Sequence, residues 1–244
     1  IIIHYQGEKN LEFYEFLSEL LEEVIIEFYE EKIIKHLISY NYFYFDEYEK
    51  VKILDNAIQM VDSEEYIKAV EEEKVIRQEI KKYVQEHKTM ILDGFVYFRL
   101  KKYFHCLDEL VDMAVNQYII EKEYTEFINL LKIYIDTKIP EYELLHLIYN
   151  GGESILLDEN KNMISISENI YQANYLSDIS FSSNDYALNT LLTLVPKKIE
   201  IHLIDEEDEF IHTLKLIFEQ RISICKECNI CKTYRLLNSV KMTH

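Results

Sequence analysis

The chain has 244 residues, a formal net charge of −19 at pH 7 and a sequence pI of about 4.8. An acidic surface repels phosphate backbones and anionic lipid headgroups, so general nucleic-acid binding and membrane-surface binding are disfavoured. No stretch approaches the roughly 18 apolar residues that a membrane-spanning helix needs. Hydrophobic residues make up 48% of the chain, which argues for a folded core and against intrinsic disorder.

The scarcity of turn-forming residues predicts long helices in the first part of the chain. Four glycines and two prolines suit helices, whereas sandwiches and barrels need many tight turns. Residues 1–6 predict a short strand. Apolar residues three and four apart predict helices over residues 10–38 and 46–61. Asp62 and Glu65 have the spacing of a capping box at the start of a charged helix that runs to about His87.

A further long helix is predicted to begin at Asp93, an N-cap residue. Its apolar seam alternates steps of three and four residues, and it consists of Val96, Leu100, Tyr103, Leu107, Leu110, Ala114 and Tyr118. Pro140 ends the helical pattern, because proline disfavours a helical conformation in the residue before it. We expect the domain boundary there.

After Pro140 the pattern changes to short strands and helices. Residues 144–149 predict a strand and residues 150–152 a turn. Apolar residues alternate with Glu200 and His202 over residues 199–203, which predicts a half-buried strand. A helix and a last strand at residues 221–224 follow, and this order implies a parallel pair with a crossover helix. The predicted fold class is α+β, with a long-helix region at residues 1–140 and a small mixed α/β module at residues 141–244 that ends in a cysteine-rich tail.

Four segments resemble one known protein family. They are residues 93–103 (DGFVYFRLKKY), 114–118 (AVNQY), 121–128 (EKEYTEFI) and 191–199 (LLTLVPKKI). The chain is similar in these segments to the YtxC-like sporulation family, and the similarity runs over nearly its whole length. The resemblance implies an endospore-forming bacterium, a cytoplasmic location and a connection to sporulation. It implies no activity and therefore no catalytic residue.

Three of the four cysteines, Cys225, Cys228 and Cys231, stand three residues apart just after the last predicted strand. Thiolates at this spacing can converge on one ion, and the cluster points to a reducing compartment rather than a secreted disulfide scaffold. Zinc is the leading cofactor and an iron–sulfur cluster the second, since a ferredoxin motif would need a fourth cysteine. The fourth ligand stays open: His244, His202, Cys106 or a second subunit could supply it. Unliganded thiols or a labile disulfide between neighbours is the alternative.

A basic group in the middle of the acidic chain has two interpretations. Arg99 and Lys102 precede Glu121 and Glu123, so the group either forms ion pairs between helices or binds an anion. We expect the ion pairs. The aromatic residues Tyr40, Tyr42, Phe43, Tyr44, Phe45 and Tyr48 are predicted to pack in the core.

The functional prediction is a non-enzymatic cytoplasmic factor in endospore formation that acts through protein partners. Common hydrolase, kinase and dehydrogenase motifs are missing, and the acidic surface and amphipathic helices suit an interaction protein. The alternative is a metal-binding or redox-responsive protein centred on Cys225, Cys228 and Cys231. An enzyme with a site between the two regions is the third class.

Overall fold

The structure is a computed structural model that describes residues 11–63, 66, 75–164 and 182–241. The predicted strand at residues 1–6 and the capping residue Glu65 lie outside the described residues. The described helices are α1 (Leu11–Asn41), α2 (Glu47–Val61), α3 (Val75–Glu86), α4 (Leu92–Arg99), α5 (Lys101–Thr137), α6 (Ser183–Leu194), α7 (Glu209–Phe218) and α8 (Asn229–Lys241). The described strands are β1 (Leu144–Asn150), β2 (Glu153–Leu157), β3 (Lys198–Leu203) and β4 (Ile222–Cys225). The predicted α+β fold class is confirmed.

The chain divides into two compact units between Glu123 and Tyr124, a point that lies within α5. We call them the N-terminal unit and the C-terminal unit. The end of α5 supplies Ile128 and Ile135 to the core of the C-terminal unit. The predicted division into residues 1–140 and 141–244 stays a prediction about which segments fold independently.

The core of the N-terminal unit is built by α1 to α5. The predicted seam is confirmed in its central part, because these seam residues are at most 4% exposed: Val96, Leu100, Tyr103, Leu107, Leu110 and Ala114. The other side of this core comes mainly from isoleucines of α1, α2 and α3, among them Ile25, Ile34, Ile53 and Ile76.

The predicted single helix from Asp93 is wrong in two respects. The helical segment begins one residue earlier, after Ile91, and Leu100 interrupts it with φ −85° and ψ 45°, so that α4 and α5 are separate. The carboxylate of Asp93 instead accepts a hydrogen bond of 2.6 Å from the hydroxyl of Tyr29 in α1. The apolar spacing did not reveal the break because Leu100 itself is buried at 1% exposure.

The prediction that the aromatic residues around the first turn pack in the core is wrong for most of them. Exposures of 62% to 75% are found for Tyr40, Phe43, Tyr44 and Tyr48. Only Tyr42 and Phe45 pack partly against the core. The rings lie around the turn between α1 and α2, where they contact one another, as Tyr44 and Phe45 do with ring centroids 4.7 Å apart. Turn segments lie at the surface, and the sequence pattern does not report this position.

The C-terminal unit contains a four-stranded mixed sheet in the order β2-β1-β3-β4. β1 and β2 form an antiparallel hairpin that turns at Gly151 and Gly152, both with positive φ (+49° and +98°). β1, β3 and β4 are parallel, and the predicted strand, crossover helix and strand are β3, α7 and β4. The carboxyl ends of these three strands therefore lie at one edge of the sheet.

Alternation along the strands gives the sheet two different faces. Odd-numbered residues of β1 and β3, such as Leu147 and Ile201, belong to the large core with α6, α7 and the end of α5. The intervening residues point to the opposite face, where Ile148, Leu157, Ile204 and Cys231 form a smaller core. Within the described parts of the chain, every helix falls short of the length or apolarity that membrane crossing requires.

Candidate metal centre

The register of the parallel strands brings four side chains that carry possible ligand atoms to the smaller-core face. In the ladder His146 of β1 stands opposite Glu200 of β3, and His202 of β3 stands opposite Cys225 of β4. Ladder partners point to the same face of a sheet, and so do residues two apart in one strand, such as Glu200 and His202. The four side chains therefore share one face. His146 and His202 are 6% and 2% exposed, which places two polar rings in the interior.

The other two cysteines come from the chain that leaves β4. Cys228 immediately precedes α8, and its carbonyl accepts the first-turn hydrogen bond from the amide of Lys232. Cys231 lies in the first turn of α8 and is completely buried. The turn of residues 226–228 thus folds the chain back, so that the thiols of this segment face the end of β3.

The four side chains bring their ligand atoms within 4.8 Å of one another, close enough to bind a single ion. The sulfur of Cys231 lies 3.6 Å from that of Cys228 and 3.9 Å from that of Cys225. Nδ1 of His202 lies 3.2 Å from the Cys228 sulfur and 3.6 Å from the Cys231 sulfur. Bonds of about 2.3 Å to sulfur and about 2.0 Å to nitrogen in a tetrahedron would separate two sulfurs by about 3.8 Å and sulfur from nitrogen by about 3.5 Å.

The thiols differ in how readily they ionise. Burial disfavours the Cys228 thiolate, but hydrogen bonds from the backbone of Cys231 and from the neighbouring thiols outweigh burial and lower its pKa. Burial, together with the hydrogen bonds to Cys228 and Cys225, raises the pKa of Cys231 to about 12. Cys228 therefore ionises more readily than Cys231, and a bound cation is what would allow several thiolates to coexist.

His202 is suited to act as a neutral ligand. Burial lowers its pKa, and this effect outweighs the opposing attraction of Glu200. The neutral imidazole is the form that binds metals, because one of its nitrogens has a free lone pair. On the other edge of the ring, Nε2 of His202 lies 3.0 Å from Nδ1 of His146, and Oε2 of Glu200 lies 3.1 Å from the same His146 nitrogen.

Of the predicted fourth ligands, the structure brings His202 to the cysteines. Its Nδ1 and the three sulfurs all lie within 4.8 Å of one another. Cys106 belongs to α5 in the N-terminal unit, and His244 lies outside the described residues. A ligand from a second subunit is not needed to complete four.

The four residues of the predicted basic and acidic group lie in the N-terminal unit. Arg99, Lys102, Glu121 and Glu123 are all exposed. The guanidinium of Arg99 lies 5.9 Å from the centre of the Tyr83 ring, and the side-chain amide of Gln117 donates a hydrogen bond to Glu121. Both the ion pairs and the anion site stay predictions.

Sequence reasoning did not identify His146 and Glu200 as part of this centre. A usable signal existed for Glu200, because it alternates with apolar residues on the same strand face as His202. No such signal existed for His146, since its position beside Glu200 depends on β1 pairing with β3, whose chain positions are more than 50 residues apart.

Comparison with known proteins gives a family but no activity. The uncharacterized protein YtxC of Bacillus subtilis (strain 168) is 22% identical over 219 residues, which cover 86% of this chain and 76% of that protein. No solved structure matches the chain. The model of the YtxC-like family matches residues 15–223. The resemblance that the sequence suggested is therefore confirmed, and the chain belongs to the YtxC-like family.

Proposed function

We propose that this protein binds one zinc ion through Cys225, Cys228, Cys231 and His202. The observation that carries the proposal is the convergence of the four ligand atoms within 4.8 Å, with separations of 3.2 to 3.9 Å for Cys231 with each of the other three and for Cys228 with His202, which suits one tetrahedral ion. A disulfide would need two sulfurs at about 2.0 Å and would leave the third thiol and the imidazole without a role.

The ligand chemistry favours zinc over other cofactors. Three thiolates and an imidazole are ligands for zinc, whereas magnesium and calcium prefer oxygen. Iron–sulfur clusters are ordinarily held by four ligands around a group of several iron atoms. The sulfur of Cys231 already lies within 4 Å of the other two sulfurs, which suits a single ion better.

A site with four protein ligands supports a structural role for the metal. Catalytic zinc sites keep one position for water or substrate, whereas structural sites fill all four positions with side chains. Here the ligands come from β3, the end of β4, the following turn and α8. The ion would hold α8 against the sheet at the edge where the parallel strands end, and the protein would act without chemistry at the metal.

The wider role that we propose is that of a non-enzymatic cytoplasmic factor in endospore formation that acts through protein partners. The connection to endospore formation is supported by the resemblance of the sequence to the YtxC-like sporulation family. The exposed aromatic side chains of Tyr40, Phe43 and Tyr44 support partner binding, because aromatic residues are enriched at protein interfaces. Capture of bound proteins from sporulating cells, with wild type compared with Phe43→Ser, tests this role: a partner captured by both alike would count against this surface.

Metal analysis of untagged protein purified under reducing conditions tests the zinc proposal. We expect about one equivalent of zinc in the wild type, and a loss of most of it in Cys228→Ser and Cys231→Ser. Cys106→Ser is the matched control, because this cysteine lies in the other unit, and it should keep its zinc. Less than about a tenth of an equivalent of zinc in the wild type, with or without bound iron, would overturn the proposal.

A further inference from the structure

The second group of possible metal ligands on this sheet face consists of His146, Glu200 and His202. We infer that His146 and Glu200 are positioning residues for His202 and do not form a second metal site. This inference rests on the proposed zinc site, since His202 is shared by both groups. It assigns a role to two side chains that the zinc ligands alone leave unexplained.

The two imidazole rings face each other as hydrogen-bonding partners. Nε2 of His202 lies 3.0 Å from Nδ1 of His146, and the ring centroids are 5.2 Å apart with 27° between the ring planes. This centroid distance is close to the nitrogen separation plus the two ring radii, so the facing nitrogens lie nearly on the line between the rings. That is the arrangement of a straight N–H···N hydrogen bond.

The sharing of His202 is unfavourable for a second ion. A neutral imidazole that binds zinc through Nδ1 keeps its proton on Nε2, and a protonated nitrogen has no lone pair for another ion. With zinc on Nδ1, the remaining proton of His202 lies on Nε2 and is donated to His146, the usual second interaction of a ligating histidine.

Glu200 acts on His202 through its negative charge. Its Oε2 lies 3.8 Å from Nε2 of His202, where the carboxylate attracts the N–H that is donated to His146. The same oxygen lies 3.1 Å from Nδ1 of His146, but that nitrogen accepts from His202 and has no proton to donate to the carboxylate. Glu200 and His202 are both on β3, and His146 is paired with Glu200 in the β1–β3 ladder. The backbone hydrogen bonds of the sheet therefore fix the partners of His202 before any metal binds. Such outer partners commonly contribute about 10- to 100-fold to metal affinity.

Two substitutions of His146 test the inference. His146→Leu replaces the imidazole with an apolar side chain of similar size and removes the acceptor, whereas His146→Asn places an amide oxygen near the former Nδ1 position. We expect zinc affinity, measured by competition with a chelator of known affinity, to fall about 10- to 100-fold in His146→Leu and to recover most of that loss in His146→Asn. In ¹⁵N NMR of the zinc-loaded protein, the Nε2–H signal of His202 should persist in wild type and His146→Asn and exchange with water in His146→Leu.

The outcomes separate this inference from the zinc proposal. If wild type binds one zinc ion and His146→Leu matches its affinity and its Nε2–H signal, the positioning role is overturned and the zinc site stands. If wild type binds two zinc ions, and His146→Leu removes one of them, the group is a second metal site and the inference is wrong. If wild type binds no zinc, both proposals fail. Equal losses of affinity in His146→Leu and His146→Asn would also contradict the inference, because the acceptor would not be the feature that matters.

Discussion

The sulfur of Cys228 lies 3.2 Å from Nδ1 of His202, although 26 residues separate the two in the chain. His202 belongs to β3, and Cys228 immediately precedes α8. The contact therefore joins β3 to the residue at which α8 starts. The smaller core beneath the helix contains four buried residues, and one of them is Cys231 itself. A metal ion at this point would tie the first turn of α8 to β3 and to the end of β4.

The first prediction is that removal of the metal releases α8 before it affects the rest of the sheet. From Tyr234 onward the described side chains of α8 are half-buried or exposed. Arg235 donates hydrogen bonds of 3.2 and 3.4 Å to the carbonyls of Leu203 and Ile204. We expect faster hydrogen exchange throughout Asn229–Lys241 after chelation, measured by mass spectrometry at fixed pH.

The matched control for this experiment is α6, which packs on the large core of the same unit. Its exchange should change little when the metal is removed, because none of the proposed ligands belongs to it. Equal acceleration in α6 and α8 would show that the ion stabilises the whole unit, and no change in α8 would show that the helix is held by other contacts.

The second prediction concerns the seam of α5. Leu107 is completely buried in the core of the N-terminal unit, so Leu107→Ala should lower the free energy of unfolding by about 2–5 kcal/mol. Leu130→Ala makes the same change in the same helix at a side chain that is 65% exposed, and it should cost less than about 0.5 kcal/mol. Urea denaturation of both variants checks the difference. Similar costs for the two would contradict the assignment of Leu107 to the core.

The third prediction is a pH dependence that arises at Glu30 in α1. Burial raises the pKa of Glu30 above its ordinary 4.5, the hydrogen bond from Tyr103 opposes the rise in part, and Asp62 adds to it. The folded chain therefore holds this proton more tightly than the unfolded chain. The contribution of Glu30 to the free energy of unfolding is accordingly fully present below about pH 4.5 and is lost as the pH rises through the raised pKa.

Replacing Glu30 with Gln should remove this loss of stability, because the amide oxygen can still accept the bond from Tyr103 and carries no charge. Urea denaturation between about pH 5 and about pH 8 should show Glu30→Gln gaining stability relative to wild type as the pH rises. Glu27→Gln, an exposed position on the same helix, is the control and should follow the wild-type profile. Parallel profiles for wild type and Glu30→Gln would contradict the prediction.

Much of the fold could be predicted because the relevant signals are local. The spacing of Val96 to Ala114 defined a buried helix face, and the alternation of Ile199, Ile201 and Leu203 defined a strand. The break at Leu100 was missed because it leaves the apolar spacing intact. The exposure of Phe43 was missed because hydrophobicity alone does not say whether neighbouring elements are close enough to cover a side chain.

Part of the candidate site could likewise be predicted from local sequence, and the rest depends on contacts between residues far apart in the chain. The three cysteines lie within seven residues, so their spacing alone suggested a metal. His202 could be named only as one of several fourth ligands, because its selection depends on β3 pairing with β4. His146 required a further pairing of β1 with β3, and such long-range registers are set by the packing of the whole sheet.

X-ray absorption at the zinc edge of the purified protein tests the central claim most directly, because it reports which atoms bind the ion. The account predicts a shell of three sulfurs at about 2.3 Å and one nitrogen at about 2.0 Å, with imidazole scattering that disappears in His202→Asn. Two of the residues concerned, Cys231 and His202, are buried within the fold, so adventitious surface zinc would give a different shell. A first shell of oxygen and nitrogen without sulfur, or protein that retains no zinc, would contradict the account.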